Sequence, residues 1–210
     1  ISYAHSKNFK NIESIAKAKA EILNNIKNNG ILILNMDDRF YNYHKNLAIN
    51  RKLKVLSFSI KNKSGSTRLV KIKKIINKYE LFINVEGKIV SFYSNNNNQS
   101  HFYNILATIA LVNSLSNIRN LKKDTFLHFK TPKGRGDISK IRLKNKSFFL
   151  VDETYNSNPL SLKTALENYD KIKLRNNKKF LILGDMLELG KHSIKQHRLI
   201  SNIINKTKID

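Results

Sequence analysis

Apolar side chains recur at helical spacing over residues 11–29, at Ile12, Ile15, Ala16, Ala18, Ile22, Leu23 and Ile26. The spacing predicts a helix, and Gly30 supplies its stop. Ile31–Leu34 is a short, wholly apolar run closed by Asn35-Met36-Asp37-Asp38. Such a run reads as a buried parallel strand with polar groups at its carboxyl end, the end at which open α/β sheets bind ligands. Residues 40–53 read as a second helix and 55–60 as a second strand. Three further strands, 69–72, 79–85 and 88–93, follow, with Glu86-Gly87 as a hairpin turn between the last two. A strongly apolar helix is expected over 101–115 and a shorter one over 121–129.

Thr131-Pro132-Lys133-Gly134-Arg135-Gly136 is the only segment dense in Pro and Gly, and it marks a domain boundary between 132 and 133. Beyond it, strands are expected at 138–143 and 148–151, joined by a turn at 145–147. Pro159 opens a helix that runs to about residue 171. An apolar strand, 180–183, ends in Gly184-Asp185, and a last helix covers 193–204. Strands alternating with helices place the chain in the α/β class.

Charge then changes the picture less than its size suggests. The 39 Lys and Arg against 15 Asp and Glu give +24, a balance that invites a nucleic-acid partner. However, 31 of the 39 are Lys, and Lys, Asn and Ile share A/T-rich codons, so a biased genome would impose this composition on any fold. The charge is also spread along the whole chain. A nucleic-acid-binding module would need aromatic rings exposed on a basic sheet, whereas most Phe and Tyr here lie in apolar, strand-like runs. No nucleic acid is expected as partner, although the field would attract anionic substrates. The absence of Cys excludes disulfides, Cys-ligated zinc and a thiol nucleophile. No apolar run approaches the ~20 residues of a membrane span, and no secretory segment opens the chain, so a cytoplasmic location is expected. The chain does not begin with Met, which reads as a piece of something longer.

Three stretches carry unusual chemistry. Asp152-Glu153-Thr154-Tyr155-Asn156-Ser157-Asn158-Pro159 gathers carboxylates and amides between a strand and a helix, where backbone N–H groups are free to meet phosphates; equally, Asn158 could simply cap the helix. Gly134-Arg135-Gly136 sets a guanidinium between two glycines, suited to close, forked contact with a phosphate or to a plain linker. Gly184-Asp185-Met186-Leu187-Glu188-Leu189-Gly190, with His192 and His197, offers carboxylates at a strand end for catalysis or amine binding, or as caps. The 210 residues contain no G-x-x-x-x-G-K-[ST] phosphate cradle.

In order, these motifs resemble the Mur ligase family. Ala4-His5, Phe9 and Ile15–Ile22 are similar to its AH-x-x-x-F…IA-x-AK-x-EI stretch, and Leu34–Asp38 to its strand-end N-A-D-D. Asn104-Ile105-Leu106-Ala107 is similar to its N-x-LA helix. Gly134–Gly136 and Asp152–Pro159 are similar to its GRG and D-[DE]-S-Y-N-A-N-P. Residues 184–190 with His197 are similar to GDMLELG…H. The resemblance runs through nearly the whole chain. It implies part of a P-loop-type central ATPase domain, residues 1–132 with the P-loop upstream, then the first half of a Rossmann-like C-terminal domain, 133–210.

The implied activity is an ATP-dependent amide ligase of peptidoglycan synthesis, monomeric when full length, with UDP-N-acetylmuramoyl-tripeptide and D-Ala-D-Ala as substrates and ATP and Mg²⁺ as cofactors. A sibling Mur or folylpolyglutamate-type ligase is the alternative. By resemblance His5 is a catalytic Mg²⁺ ligand. Lys19 is the lysine that becomes a carbamate, an anionic oxygen ligand suited to a hard cation. Asn104 is an adenine-side contact, Arg135 a nucleotide-binding arginine, and Glu153 lies by the ribose or phosphates; Tyr155, Asn156 and Asn158 line the same turn and are expected to face nucleotide or peptide. Two departures stand out: Lys7 replaces an acidic residue two positions after the family His, and Ser100-His101 replaces a His-Asn pair.

Overall fold

The computed structural model describes residues 1–129, 132–172 and 178–209. Close backbone contacts divide the chain into two compact units, one of Lys17–Phe129 and one joining Ile1–Ala16 to Lys130–Asp210.

The 17–129 unit is built on a five-stranded sheet: β1 (Ile31–Asn35), β2 (Lys54–Ser59), β3 (Thr67–Ile75), β4 (Lys78–Val85) and β5 (Lys88–Ser94), in that spatial order. β1, β2 and β3 are parallel neighbours; β3, β4 and β5 pair antiparallel. Antiparallel neighbours need only a tight turn, and Glu86 and Gly87 supply it, both with positive φ (49° and 91°) as a two-residue hairpin loop demands. The parallel step from β1 to β2 needs a crossover, which α2 (Tyr41–Asn50) provides.

Alternation along the strands sends side chains to two separate cores. Val55 on β2 and Leu32 on β1 join Ala20, Leu23, Ala48 and Leu53. Phe58, also on β2, faces the other way and joins Leu81, Ile83, Val85 and Phe92 against α3 (Gln99–Leu115). α3 contributes Phe102, Ile105, Leu106 and Ile109, spaced at i, i+3, i+4 and i+7.

α1 is shorter than its pattern predicts. It covers Ile12–Ala20 and tightens into a 3₁₀ turn over Glu21–Asn25, where Asn24 and Asn25 are poor helix formers. The helix expected over 121–129 is a set of tight turns, with Thr125 N–H bonded to Lys122 C=O and Leu127 N–H to Asp124 C=O. Its apolar spacing serves the core instead: Phe126 meets Phe92 edge-to-face, with centroids 5.3 Å apart.

The other unit holds a two-stranded antiparallel hairpin, β6 (Asp137–Leu143) with β7 (Lys146–Asp152), then α4 (Pro159–Asp170) and α5 (Ser193–Ile204). Its core gathers Leu166, Met186, Leu189 and Ile200 with Tyr3, Leu162 and Leu181. The run 180–183 is not a strand. It pairs with no strand among the described residues, and only Leu181 turns inward while Phe180 and Ile182 stay exposed.

Candidate functional site

Asp37, just past β1, ties three elements together. Its Oδ2 accepts the backbone N–H of Ile60 (2.7 Å) and Lys61 (3.0 Å), and its Oδ1 that of Asn62 (2.9 Å). The Tyr103 hydroxyl, on α3, donates to Oδ2 at 2.9 Å. Burial alone would raise this carboxyl, but the three amides and the phenol outweigh it and hold it below the usual aspartate range. Burial, then the Asp37 hydrogen bond and charge, push the Tyr103 phenol far up. The pin thereby fixes the rotation of α3 that presents the exposed Asn104. One residue before Phe102, His101 is buried and stacked on Phe129 with centroids 5.4 Å apart. Its Nε2 has no hydrogen-bond partner among the described residues, and burial lowers its pKa. The sequence showed Asp37 only as one of two strand-end carboxylates; its acceptor role depends on a loop more than twenty residues away.

The second cluster lies where the 134–136 turn meets the end of β7. Gly136 N–H donates to Asp152 C=O at 2.7 Å, and Tyr155 N–H to Gly134 C=O at 3.1 Å. A Cβ on Gly134 (φ 74°) would lie 2.8 Å from the Tyr155 nitrogen, so this approach requires glycine. The Arg135 guanidinium stacks 4.3 Å from the Tyr155 ring centroid. Stacking uses the flat face and leaves the forked edge for an anion. Asp152 holds Thr154 through both its N–H (2.9 Å) and its hydroxyl (2.7 Å), which lowers the Asp152 carboxyl. Glu153 is pushed up by desolvation and then by the charges of Asp152 and Asp137. Arg135, Glu153 and Tyr155 are thus brought together, and Asn156 is exposed beside them. The Asn158 carboxamide is committed elsewhere: it accepts from the N–H of Leu160 and Ser161, both at 3.1 Å, and completes a capping box on α4.

The third cluster joins the amino-terminal segment to the 184–190 loop. His5 Nδ1 is hydrogen-bonded to the Glu188 carboxylate, and Lys7 N–H donates to Glu188 C=O at 2.7 Å. His5 (φ 55°) and Glu188 (φ 59°) both adopt left-handed backbone, a conformation that costs a non-glycine residue ~1–2 kcal/mol. The His192 ring packs at a tilt against Tyr3 (centroids 5.0 Å, 49° between planes), and its Nε2 lies 3.3 Å from Phe9 C=O. His197 accepts the Met186 N–H at Nε2 (3.2 Å), so its proton sits on Nδ1, bonded to Ser193 C=O (2.9 Å). Residues 185–190 with Ser193, Ile194, His197 and Arg198 wall a cavity of about 540 Å³.

His5 and Lys19 fall in different units, and no three His, Asp or Glu side chains converge on a metal site among the described residues. As they stand, one imidazole held by Glu188 and one ammonium do not make the oxygen set that a hard cation prefers. Asn104 likewise belongs to the unit other than that of Arg135, Glu153 and Tyr155.

Residues 1–112 match the Mur ligase middle domain. The UDP-N-acetylmuramoyl-tripeptide--D-alanyl-D-alanine ligase of Buchnera aphidicola subsp. Baizongia pistaciae is 28% identical to the chain, over all of it and 44% of its own length. Among solved structures, MurF from Acinetobacter baumannii aligns with all of the chain and 44% of its own, at 23% identity and a TM-score of 0.81. MurF from Thermotoga maritima in complex with ADP aligns at TM-score 0.78 and 23% identity, covering 99% of this chain and 45% of that one. Both share the fold. The chain spans less than half the length of these relatives.

Proposed function

The chain belongs to the Mur ligase family, and from that premise we propose that it is part of a cytoplasmic ATP-dependent ligase that adds D-alanyl-D-alanine to UDP-N-acetylmuramoyl-tripeptide. The observation that carries this reading is the similarity, along the entire chain, to a curated relative named for that reaction. Residues 1–132 then belong to the central ATP-binding domain and 133–210 to the opening of the C-terminal domain.

The chemistry follows from the weak electrophilicity of a carboxylate. A carboxylate oxygen of the tripeptide attacks the terminal phosphorus of ATP, and ADP leaves. The amine of D-alanyl-D-alanine attacks the acyl carbon, and the C–O bond breaks to release phosphate. In this scheme Asn104 is the adenine-side contact and Arg135, whose guanidinium lies over the Tyr155 ring at 4.3 Å, is the phosphate contact. Glu153, with Asn156 beside it, faces the ribose or phosphates; its raised pKa suits a carboxyl that shares hydrogen bonds with hydroxyls. Asn158 keeps the turn in shape through its cap. Mg²⁺, when bound, would offset the charge of the phosphates.

Expression of the complete reading frame that contains this sequence should restore growth to a conditional strain depleted of its own D-alanyl-D-alanine-adding ligase. Soluble, full-length protein that fails to restore growth would sink the reading. The 210-residue chain alone, with no phosphate cradle in its sequence, should release no phosphate from ATP.

A further inference from the structure

We propose that the outer half of β3, Val70–Ile75, is a docking edge for an extended segment of another protein in which acidic and apolar residues alternate. The segment adds to the sheet as a further strand beside β3, and its carboxylates meet Lys71, Lys73 and Lys74. The site is independent of the ligase reading.

β3 is an inner strand for only part of its length. β2 pairs with it at Thr67 and Arg68 alone, whereas its pairing with β4 continues to Ile75. The cause is the Asp37 pin. That carboxylate takes the N–H groups of Ile60, Lys61 and Asn62 and so draws the chain off the sheet where β2 ends. Beyond Arg68, no strand pairs with that side of β3 among the described residues. The open edge is about 20 Å long at ~3.4 Å per residue. Its alternate N–H and C=O groups form a template for strand addition. Val70–Lys74 are all exposed, Val70 by 53% and Ile72 by 43%.

Charge selects the partner. Basic residues are spread along the chain, but acidic ones are not: between Asp38 and Glu80 there is no Asp or Glu. Lys71, Lys73 and Lys74 have no hydrogen-bond or ion-pair partner among the described residues. Glu80, the only acid in β3, β4 or β5 and the register partner of Lys73, is bonded to Lys123 at 3.5 Å. Alternation along β3 puts Lys71 and Lys73 on one face, in register with Phe82 and Glu80, and Ile72 and Lys74 on the other, in register with Leu81 and Tyr79. A strand lying beside β3 meets these positions alternately, carboxylate against lysine and aliphatic side chain against Ile72.

Lysines and a bulge also guard an edge against random pairing, and the register break between Leu69 and Lys71 supplies the bulge. Here the guard is selective. A second copy of this chain, laid edge to edge, sets lysine against lysine and is repelled. An acidic strand meets attraction at the same three positions. Val70 and Ile72, which guarding does not require, gain burial from such a partner.

The test uses the labelled octapeptide acetyl-Glu-Val-Glu-Val-Glu-Val-Glu-Val-amide as probe, read by fluorescence anisotropy and by amide shifts and amide exchange of the ¹⁵N-labelled chain. Saturable binding is expected, with shifts and slowed exchange confined to β3 and the strands paired with it. A version methylated on alternate backbone nitrogens keeps its charge but loses strand hydrogen bonds, and should bind at least ~tenfold more weakly. The double variant Lys71→Glu/Lys73→Glu should also lose at least ~tenfold, by repulsion. Lys71→Arg/Lys73→Arg should retain binding, and the spectra of both variants away from β3 should match the parent, showing an intact fold. Five results would each overturn the proposal: no binding at millimolar peptide, equal binding of the methylated peptide, equal binding of a Lys-Val octapeptide, sedimentation with phosphatidylglycerol vesicles in place of peptide binding, or no binding by the protein made from the complete reading frame. The last would mean that the edge is covered within that protein.

Discussion

In the 17–129 unit, Ile83 and Ile109 are wholly out of water; in the other, Phe149 is 68% exposed and Ile182 96%. The two units are made of similar residue types, so composition is not the cause. The difference is layering. Where the five-stranded sheet has a helix against each face of β2, alternate side chains find two cores. Where a lone hairpin stands, both of its faces meet solvent, and Ile138, Leu143, Phe148 and Leu150 stay exposed. The candidate chemistry follows the same division. Packing in the sheet unit holds one polar pin in place, whereas the hairpin unit displays Arg135, Tyr155, Asp185 and Glu188 on turns.

The sharpest way to break this contrast is a pair of truncations. Ile109→Ala should cost about 3 kcal/mol by urea denaturation, because it opens a cavity in a packed core. Phe149→Ala should cost under ~0.5 kcal/mol, as an exposed substitution does. Equal costs would mean that the hairpin face is covered in solution. Next in size is Gly190→Ala, at about 2 kcal/mol from left-handed backbone with a close approach to Lys7, seen as a lower Tm. Tyr103→Phe should cost about 1.5 kcal/mol by removing a donor to a charged acceptor.

The same pin predicts an acid response. Because the folded Asp37 pKa is lowered, its stabilisation is present above the ordinary aspartate value of 3.8 and is lost as pH falls through the folded value. Asp37→Asn should flatten the stability–pH curve in that window, measured by denaturation at stepped pH. The smallest effect is on the α4 cap: Asn158→Ala should lower stability by about 1 kcal/mol and Asn158→Ser by much less. If nucleotide affinity of the complete protein fell equally with both, the Asn158 side chain would be a ligand contact as well as a cap.

What the sequence made legible was local. The spacing of Ile105 and Ile109 announced α3, and Pro159 announced the start of α4 within a residue. Ser193–Ile204 was predicted without error at either end. The misses share a cause, which is tertiary context. Leu121–Phe129 has helical spacing because Leu121 and Phe126 reach the same core, not because the backbone coils. Phe180–Leu183 has a strand's composition, but no strand pairs with it among the described residues. Two separate motifs singled out Arg135 and Tyr155, and the structure sets the guanidinium 4.3 Å from the Tyr155 ring centroid. The His5–Glu188 pairing, 183 residues apart in sequence, was invisible to any local pattern. Asn158, expected by resemblance to line a nucleotide site and by position alone to cap a helix, caps α4.

The sheet order β1-β2-β3-β4-β5 repeats the order of the chain. No two paired residues are further apart along it than Ile31 and Lys54, so each new strand closes a short loop onto one already present. Low contact order of this kind favours fast folding. On the ribosome the sheet can then grow one strand at a time as the chain emerges, and little unpaired edge waits for a distant partner.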